Sequence, residues 1–282
     1  MQGGTNMDIR FNYEQKSGYT KILFPDGELL NYIEFGIIKL SQGEQYSENT
    51  EDNEVVLVIL KGKCVISTNV IKWGPIGERK DVFSGKAYAI YIPRQNRYDI
   101  TAATDLEVAV CKGKTDFTGE PFVITPDKVK VRSVGNGVWT RDVYDIIDER
   151  TPAGCLLVGE TINPPGNWSS FPPHKHDIEN SPEETKLEEI YFFKIQPEEG
   201  FGMQRVYTDP ASKDECFDEA LVLKNNTVTV MPRGYHPVCA APGYSIYYLW
   251  VLAGKNRKLI PNEDPQHSWI GKEDNLGDRN GQ

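Results

Sequence analysis

Short apolar runs, separated by turn residues, recur along the whole chain. They are YIEFGIIKL, EVVLVILKGKCVI, KAYAIYIP and LEVAVCKG in the first half, then CLLVGETI, EIYFFKI, GMQRVY, ALVLKNNTVTVMP and YSIYYLWVLAG. Runs of this length, rich in β-branched and aromatic residues, are typical of strands in a sandwich or barrel. A helical period is hard to find, and the best candidate is residues 140–147, where a threonine could serve as N-cap. The pattern predicts an all-β protein of jelly-roll type with few short helices.

The two halves of the chain resemble each other. Residues 91–114 and 230–255 share a Pro-Arg turn, an alanine pair and a closing Gly-Lys, and a fainter match aligns Glu54 with Glu189 at the start of an apolar strand. Such a repeat predicts two related antiparallel β-barrels in tandem. We expect residues 1–125 to form the first barrel, residues 126–258 the second, and the polar residues 259–282 a tail along the surface.

Charge and length narrow the range of partners. The chain has 282 residues, enough for two barrels, and a formal net charge of -10. It lacks the basic surface that binds phosphates, so we expect neither a nucleic acid nor an anionic membrane as a partner. The amino terminus does not resemble a signal peptide, and the longest aliphatic run, residues 55–60, is far shorter than the roughly 20 residues of a membrane span. These features predict a cytoplasmic protein that acts on small molecules.

The histidines are the most informative residues. All four lie at or after position 174, and three fall in the segments FPPHKHD (His174 and His176) and PRGYHP (His236). Alternate residues of a strand share a face, so His174 and His176 can reach one ion together with His236 from a distant turn. A carboxylate is expected as the fourth ligand. Glu189 is preferred because of its match with Glu54, whereas Glu188 would point to the opposite face of the same strand.

Two other positions are expected to play no part in metal binding. His267, in the polar tail, is predicted to be exposed. In the first half the position that matches His236 is Arg97, so the first barrel is expected to lack a metal ion.

HxH, a later glutamate and PRGYH are similar to the two motifs of the cupin superfamily. More specifically, GNWSSFPPHKHD, GFGMQRVYTD and PRGYHPVCAAPGYSIYYLWVLAG resemble the 5-deoxy-glucuronate isomerase family of myo-inositol catabolism, and the likeness extends through TEDNEVVLVILKGK and YIPRQNRY. The resemblance implies a bicupin that converts 5-deoxy-D-glucuronate into 5-dehydro-2-deoxy-D-gluconate, with a divalent metal on His174, His176, Glu189 and His236. Zinc is the preferred ion, with manganese and iron as alternatives. The similar uronate ketol-isomerases of pectin breakdown have a shorter gap before the glutamate.

An aldose-ketose isomerisation also needs a proton-transfer group and a cation for the substrate carboxylate. Arg205 is the first candidate for that cation because a guanidinium binds a carboxylate bidentately; Lys175 and Arg233 come second. Tyr207 and Tyr248 are candidate substrate-binding hydroxyl donors. The candidate catalytic residues are Glu184, Glu188 and Tyr191, the last because it shares a face with Glu189, and Asp177 or a hydroxide ion at the site could also serve as the base.

Two other functions stay open at this point. The same ligands would serve another metal-dependent cupin enzyme, such as a dioxygenase, or a sugar-binding bicupin without catalytic activity. A homodimer is possible if apolar edge strands such as VVLVIL are exposed.

Overall fold

The computed structural model describes residues 8–209 and 216–273. The first half consists of short strands: β1 (Arg10–Asn12), β2 (Gly18–Leu23), β3 (Ile33–Leu40), β4 (Gln45–Asn49), β5 (Asn53–Lys61), β6 (Cys64–Thr68), β7 (Lys72–Ile76), β8 (Ala89–Ile92), β9 (Arg97–Ala102), β10 (Leu106–Lys114) and β11 (Phe122–Ile124). The second half continues with β12 (Lys130–Val134), β13 (Arg141–Ile147), β14 (Leu156–Asn163), β15 (Trp168–Ser169), β16 (His174–Lys175), β17 (Glu188–Gln196), β18 (Gly202–Tyr207), β19 (Asp218–Leu223), β20 (Thr227–Met231), β21 (Val238–Ala240), β22 (Ser245–Ala253) and β23 (Asn262–Glu263). A 3-10 turn at Gly137–Trp139 and a short helix α1 (Trp269–Glu273) complete the described elements. The predicted all-β class is confirmed.

The strands form two units, and each unit has one large antiparallel sheet and one or two smaller ones. In the first unit the order is β11-β8-β5-β10-β3-β2 in the large sheet and β4-β9-β6-β7 in the small one. In the second unit the large sheet is β1-β20-β17-β22-β14-β13-β12, and the smaller sheets are β15-β21-β18-β19 and β16-β23. Strand pairing changes from one unit to the other between β11 and β12, whereas β1 pairs with β20 of the second unit. Whether residues 1–125 and 126–258 are independent domains stays a prediction.

The two large sheets pack against each other. In β5, Val56 and Val58 belong to the core shared by the units, and Val55 and Leu57 to the core inside the first unit. In β17 the same alternation places Phe192 in the shared core and Phe193 inside the second unit. Both faces of the central strands are therefore buried, which explains their continuous apolar sequence. Each such side chain contributes about 1.5–3 kcal/mol by leaving water.

The helix predicted for residues 140–147 is wrong. Residues Arg141–Ile147 form β13, which pairs with β12 on one side and β14 on the other. Two neighbouring strands satisfy the backbone donors and acceptors of this segment, and the β-branched Val143, Ile146 and Ile147 suit a strand. The local helical pattern has no comparable tertiary support.

Two carboxylates join the units reciprocally. Glu54, at the start of β5, accepts hydrogen bonds from the backbone N–H groups of residues 154–156 in the second unit, at 2.5, 2.6 and 2.8 Å. Glu188, at the start of β17, accepts three from residues 31–33 in the first unit, each at 2.7 Å. The Tyr91 hydroxyl also donates to Glu54, at 2.8 Å. Each carboxylate thus fixes the start of a strand in the other unit: Glu54 that of β14 and Glu188 that of β3.

Strand register gives a different alignment of the two halves. Ile92, the residue before the first Pro-Arg turn, pairs with Val55, and Met231, the residue before the second, pairs with Glu189. Val55 is therefore the counterpart of Glu189, and Glu54 is the counterpart of Glu188. The sequence alignment that paired Glu54 with Glu189 was shifted by one residue, which in a strand exchanges the two faces.

The first unit fills the corresponding part of its interior with an ion-pair network. Lys112 is the partner of Val55 across β10 and β5, and its Nζ lies 2.6 Å from a carboxylate oxygen of Glu48 and 2.8 Å from one of Glu34. The Tyr98 hydroxyl also donates to Glu48. The ammonium group of this network thus belongs to the residue directly across the sheet from Val55, the counterpart of Glu189.

Among the described residues, no helix is both long and apolar enough to cross a membrane.

Candidate metal centre

Three buried side chains meet inside the second unit. Candidate ligand atoms of His176, Glu189 and His236 all lie within 4.8 Å of one another. Oε2 of Glu189 is 3.1 Å from Nε2 of His176 and 3.2 Å from Nε2 of His236. Glu189 comes from the inward face of β17, His176 from the segment after β16, and His236 from the turn before β21. Long-range folding thus assembles three positions that are far apart in sequence.

Backbone carbonyls orient both imidazoles of this cluster. Nδ1 of His176 lies 2.8 Å from the Leu187 carbonyl, and Nδ1 of His236 lies 3.0 Å from the Gly234 carbonyl. When Nδ1 donates to a carbonyl, Nε2 keeps a lone pair for a metal ion. In the described part of the chain, the buried Nε2 of His236 has no hydrogen bond of good geometry. Two oriented imidazoles and a carboxylate fit a divalent ion.

Charge also favours a metal ion at this centre. Burial alone would raise the pKa of Glu189, but its contacts with His176 and His236 lower it to about 2. Burial would lower the pKa of His176, but the Glu189 carboxylate outweighs this and raises it. The carboxylate therefore stays ionised and available as a ligand.

His174 lies beside the cluster rather than within it. Its ring centre is 5.0 Å from that of His236 and 6.4 Å from that of His176. Burial and the two neighbouring imidazoles lower the pKa of His174 to about 3. A neutral imidazole is the form that binds metal, so His174 has suitable chemistry for a fourth ligand, and that assignment stays a prediction.

A network of charged residues ties the two histidine segments together. Lys175 points away from the cluster, with Nζ 2.5 Å from Asp177 and 2.9 Å from Glu184. The other oxygen of Asp177 accepts the Gly234 N–H at 2.7 Å, two residues before His236. Glu184 also accepts the N–H groups of Asp177 and Ile178, at 2.8 and 3.0 Å. The Glu184 carboxylate, a candidate base by sequence, is thus engaged in this network and does not line the cavity at the cluster.

Replacing Asp177 by Asn is expected to weaken metal binding about 10- to 100-fold, the usual effect of losing a group that orients a ligand. The amide keeps one acceptor but loses the charge that pairs with Lys175. Metal titration of the apoprotein measures the change. Glu183→Gln, at an exposed position of the same segment, is the control. Unchanged affinity in Asp177→Asn would show that the turn holds His236 without this contact.

Glu188 points out of the second unit, and its oxygens bind residues 31–33. Burial raises the pKa of Glu188, although the three N–H groups oppose the shift. The structure therefore places Glu189, and not Glu188, beside the histidines.

A cavity of about 670 Å³ opens at the cluster. His174, Glu189, Tyr191, Tyr248 and Arg141 are among the residues that line it. A cleft of about 730 Å³ lies elsewhere, between lysine-rich and acidic segments of both units, but none of the clustered ligands lines it.

Tyr191 is the one candidate catalytic residue on the wall of the 670 Å³ cavity. Its hydroxyl lies 2.9 Å from Oγ of Ser170, and its ring centre is 6.1 Å from that of His236. Burial, followed by the charge of Glu189, raises its pKa well above the usual value. Tyr248 packs against it, with ring centres 4.5 Å apart. Both tyrosines are therefore placed to contact a ligand, and Tyr191 keeps its proton.

Arg205 and Tyr207 lie away from this cavity. Arg205 is half exposed on the outer face of β18 and pairs bidentately with Asp218, at 2.6 and 2.7 Å. Its guanidinium lies 3.8 Å from the ring centre of Tyr207, whose hydroxyl donates to Asp264 at 2.6 Å. The structure does not bring these two candidates to the cluster.

Two residues that sequence reasoning did not select face the inside of the second unit. Gln204, the neighbour of Arg205, is buried, and its Oε1 has no hydrogen-bond partner in the described residues. Arg141 lies in the segment for which the sequence pattern predicts a helix. Strand alternation in β13 was the signal that could have found it.

The C-terminal segment also supports the site. β23 pairs with β16, so that His174 lies opposite Glu263, and the Asp264 N–H donates to the Pro173 carbonyl at 2.8 Å. His267, predicted to be exposed, is 37% exposed and lies 3.9 Å from Asp264. The tail predicted for residues 259–282 thus contributes a strand to the second unit, whereas residues 274–282 lie outside the described residues.

Comparison with known proteins agrees with this geometry. The sequence profile of the KduI/IolB family matches residues 11–270. A protein of Geobacillus kaustophilus named 5-deoxy-glucuronate isomerase is 45% identical over 247 residues, which cover 87% of this chain and 88% of that protein. One of Bacillus subtilis strain 168 with the same name is 38% identical and covers 86% and 88%.

Solved structures similar to this chain include a relative and a protein that shares only its fold. An IolB-like protein of Salmonella typhimurium LT2 superposes with a TM-score of 0.89 at 34% identity, covering 94% of this chain and all (100%) of that one. The oxalate decarboxylase of Lactobacillus farciminis, at 13% identity, covers 99% and 95% with a TM-score of 0.66, and shares the fold alone. The profile match and these identities establish that the chain belongs to the KduI/IolB family.

Proposed function

We propose that this protein isomerises 5-deoxy-D-glucuronate to 5-dehydro-2-deoxy-D-gluconate, an aldose-ketose conversion in myo-inositol catabolism. One observation carries the proposal: the buried cluster of His176, Glu189 and His236 opens into a cavity lined by Tyr191 and Tyr248. Relatives up to 45% identical bear the name 5-deoxy-glucuronate isomerase, which supports this substrate over other sugar acids.

The reaction moves a hydrogen from C2 to C1 and the hydroxyl proton from O2 to O1, and it needs the C1 carbonyl to be polarised. His176, Glu189 and His236 would hold a divalent ion, which would supply that polarisation as a Lewis acid. Glu189 contributes a single negative charge, so the loaded centre keeps a net positive charge toward a developing oxyanion. Tyr191, which retains its proton, can donate a hydrogen bond to a substrate oxygen.

Zinc is the ion that we propose, with manganese or iron as alternatives. Imidazole and carboxylate ligands suit all three. The conversion involves no net oxidation, so a metal without redox chemistry suffices. The predicted cytoplasmic location and homodimer stay predictions.

Removing the metal is expected to abolish isomerisation, and adding it back is expected to restore it. Protein dialysed against a chelator should lose turnover of 5-deoxy-D-glucuronate, and zinc or manganese should recover it without oxygen uptake. His267→Gln, outside the cluster, should keep its metal and its activity. Oxygen consumption that depends strictly on iron would favour the dioxygenase, whereas no turnover with any metal would favour a sugar-binding protein.

A further inference from the structure

We propose that Arg141 binds the terminal carboxylate of the sugar acid and so selects acids over neutral aldoses. This inference rests on the proposed function, since it assigns the far end of the same substrate.

The strand that carries Arg141 directs it into the cavity. In β13 the side chains of Arg141, Val143 and Asp145 alternate onto the face that lines the 670 Å³ cavity, as do His174 and Glu189 from other strands. The guanidinium of Arg141 and the carboxylate of Glu189 therefore face one cavity.

Arg141 differs from the other cations of the cavity wall in having no carboxylate partner. The other three each form an ion pair: Lys130 with Asp148 at 2.6 Å, Arg132 with Asp145 at 2.8 Å and Arg150 with Asp148 at 3.0 Å. Among the described side chains, those of residues 8–209 and 216–271, no carboxylate oxygen lies within ion-pairing distance of Arg141. A partly buried cation without a counter-ion is costly, and a substrate carboxylate would offset that cost.

The orientation of the guanidinium leaves its bidentate edge available. Nη1 donates to the carbonyls of Trp139 and Phe171, both at 3.2 Å, which holds one end of the group. Nε and Nη2 donate to no other group among the described residues. That edge is the one with which Arg132 and Arg205 bind their aspartates. Arg141 therefore presents an oriented fork of donors that matches the geometry of a carboxylate.

The tyrosines connect Arg141 to the cluster. Burial lowers the pKa of Arg141, and the neighbouring hydroxyl groups of Tyr248 and Tyr191 partly oppose that shift. Tyr191 is also a ring neighbour of His236. A sugar acid with its carboxylate at Arg141 would thus pass along both hydroxyls and reach the cluster with its aldehyde end.

Arg141→Gln tests this role, with Arg141→Lys as the conservative variant. We expect kcat/KM for 5-deoxy-D-glucuronate to fall about 100-fold in Arg141→Gln, chiefly because KM rises. A loss of this size corresponds to the hydrogen bonds between a charged guanidinium and a carboxylate. Arg141→Lys should recover part of the loss. Arg205→Gln, on the outer face of β18, is the matched control and should change kcat/KM by less than about threefold.

Binding provides a readout independent of turnover. Calorimetry on metal-loaded protein compares D-glucuronate with D-glucose. We expect wild-type protein and the Arg205→Gln control to prefer the acid, and Arg141→Gln to lose that preference while keeping its metal content and thermal stability. Preserved preference in Arg141→Gln would overturn the inference.

The two proposals can fail separately. If the wild-type protein isomerises the substrate and Arg141→Gln performs equally well, only the role of Arg141 is wrong. If the wild-type protein shows no turnover but binds D-glucuronate through Arg141, the role stands as carboxylate recognition and the proposed reaction is wrong.

Discussion

Glu189→Gln is expected to remove the bound divalent ion and to lower kcat/KM by about 10³-fold or more. The amide keeps the shape of the side chain but loses the charge that attracts the ion and that lies 3.1 and 3.2 Å from the two imidazoles. Lewis-acid polarisation supplies several kcal/mol to a reaction of this type, and each 1.36 kcal/mol corresponds to a factor of ten in rate. Metal content by mass spectrometry and steady-state kinetics measure the two effects.

The matched control is the same substitution one residue earlier. Glu188→Gln removes a carboxylate from the opposite face of β17, where it binds residues 31–33 and not the cavity. We expect this variant to keep its metal and its activity per folded molecule. If Glu188→Gln lost activity while metal-loaded and folded, Glu188 would be a catalytic residue after all; metal retention in Glu189→Gln would exclude Glu189 as an essential ligand.

Glu54→Gln is expected to lower the free energy of unfolding by about 3–5 kcal/mol, the range for breaking a buried charged network. Glu54 is fully buried and accepts three backbone N–H groups of the other unit and the Tyr91 hydroxyl. A glutamine offers one acceptor oxygen, and its NH₂ group would face donors. Denaturant unfolding followed by circular dichroism measures the loss.

The effect of Glu188→Gln should be similar in kind but smaller, since Glu188 is less buried than Glu54. Glu120→Gln, at an exposed position, controls for the change of charge alone. If Glu54→Gln had the same denaturant midpoint of unfolding as the wild-type protein, the contacts of Glu54 would not contribute to stability.

The histidine positions were accessible from sequence because their signal is local. Two histidines one residue apart share a face wherever the segment is extended, and this holds before the fold is known. The structure brings His176 and His236 to the same carboxylate. The sequence does not decide between Glu188 and Glu189. The rest of β17 is apolar and buried on both faces, so no alternation of polar and apolar residues shows which face points inward. Only the packing of the two units shows which face of β17 lines the cavity.

The cations illustrate the same limit. Arg205 was selected for its chemistry, but β18 belongs to a sheet whose outer face is exposed, and its alternation turns Arg205 outward and Gln204 inward. Arg141 was overlooked because its segment has a local pattern that suits a helix, whereas pairing with two neighbouring strands makes it extended. A short segment carries too little local free energy to resist such pairing.

By itself, the sequence determined the all-β class and indicated the histidine segments, since both depend on periodicity or spacing over a few residues. Tertiary structure decided that Glu189 lines the cavity, that Glu54 and Glu188 join the units, and that Arg141 lines the same cavity as Glu189. The physical reason is that these roles depend on which segments, distant in sequence, pack against each face of a strand. When both faces are buried, the local sequence does not show which face points into the cavity.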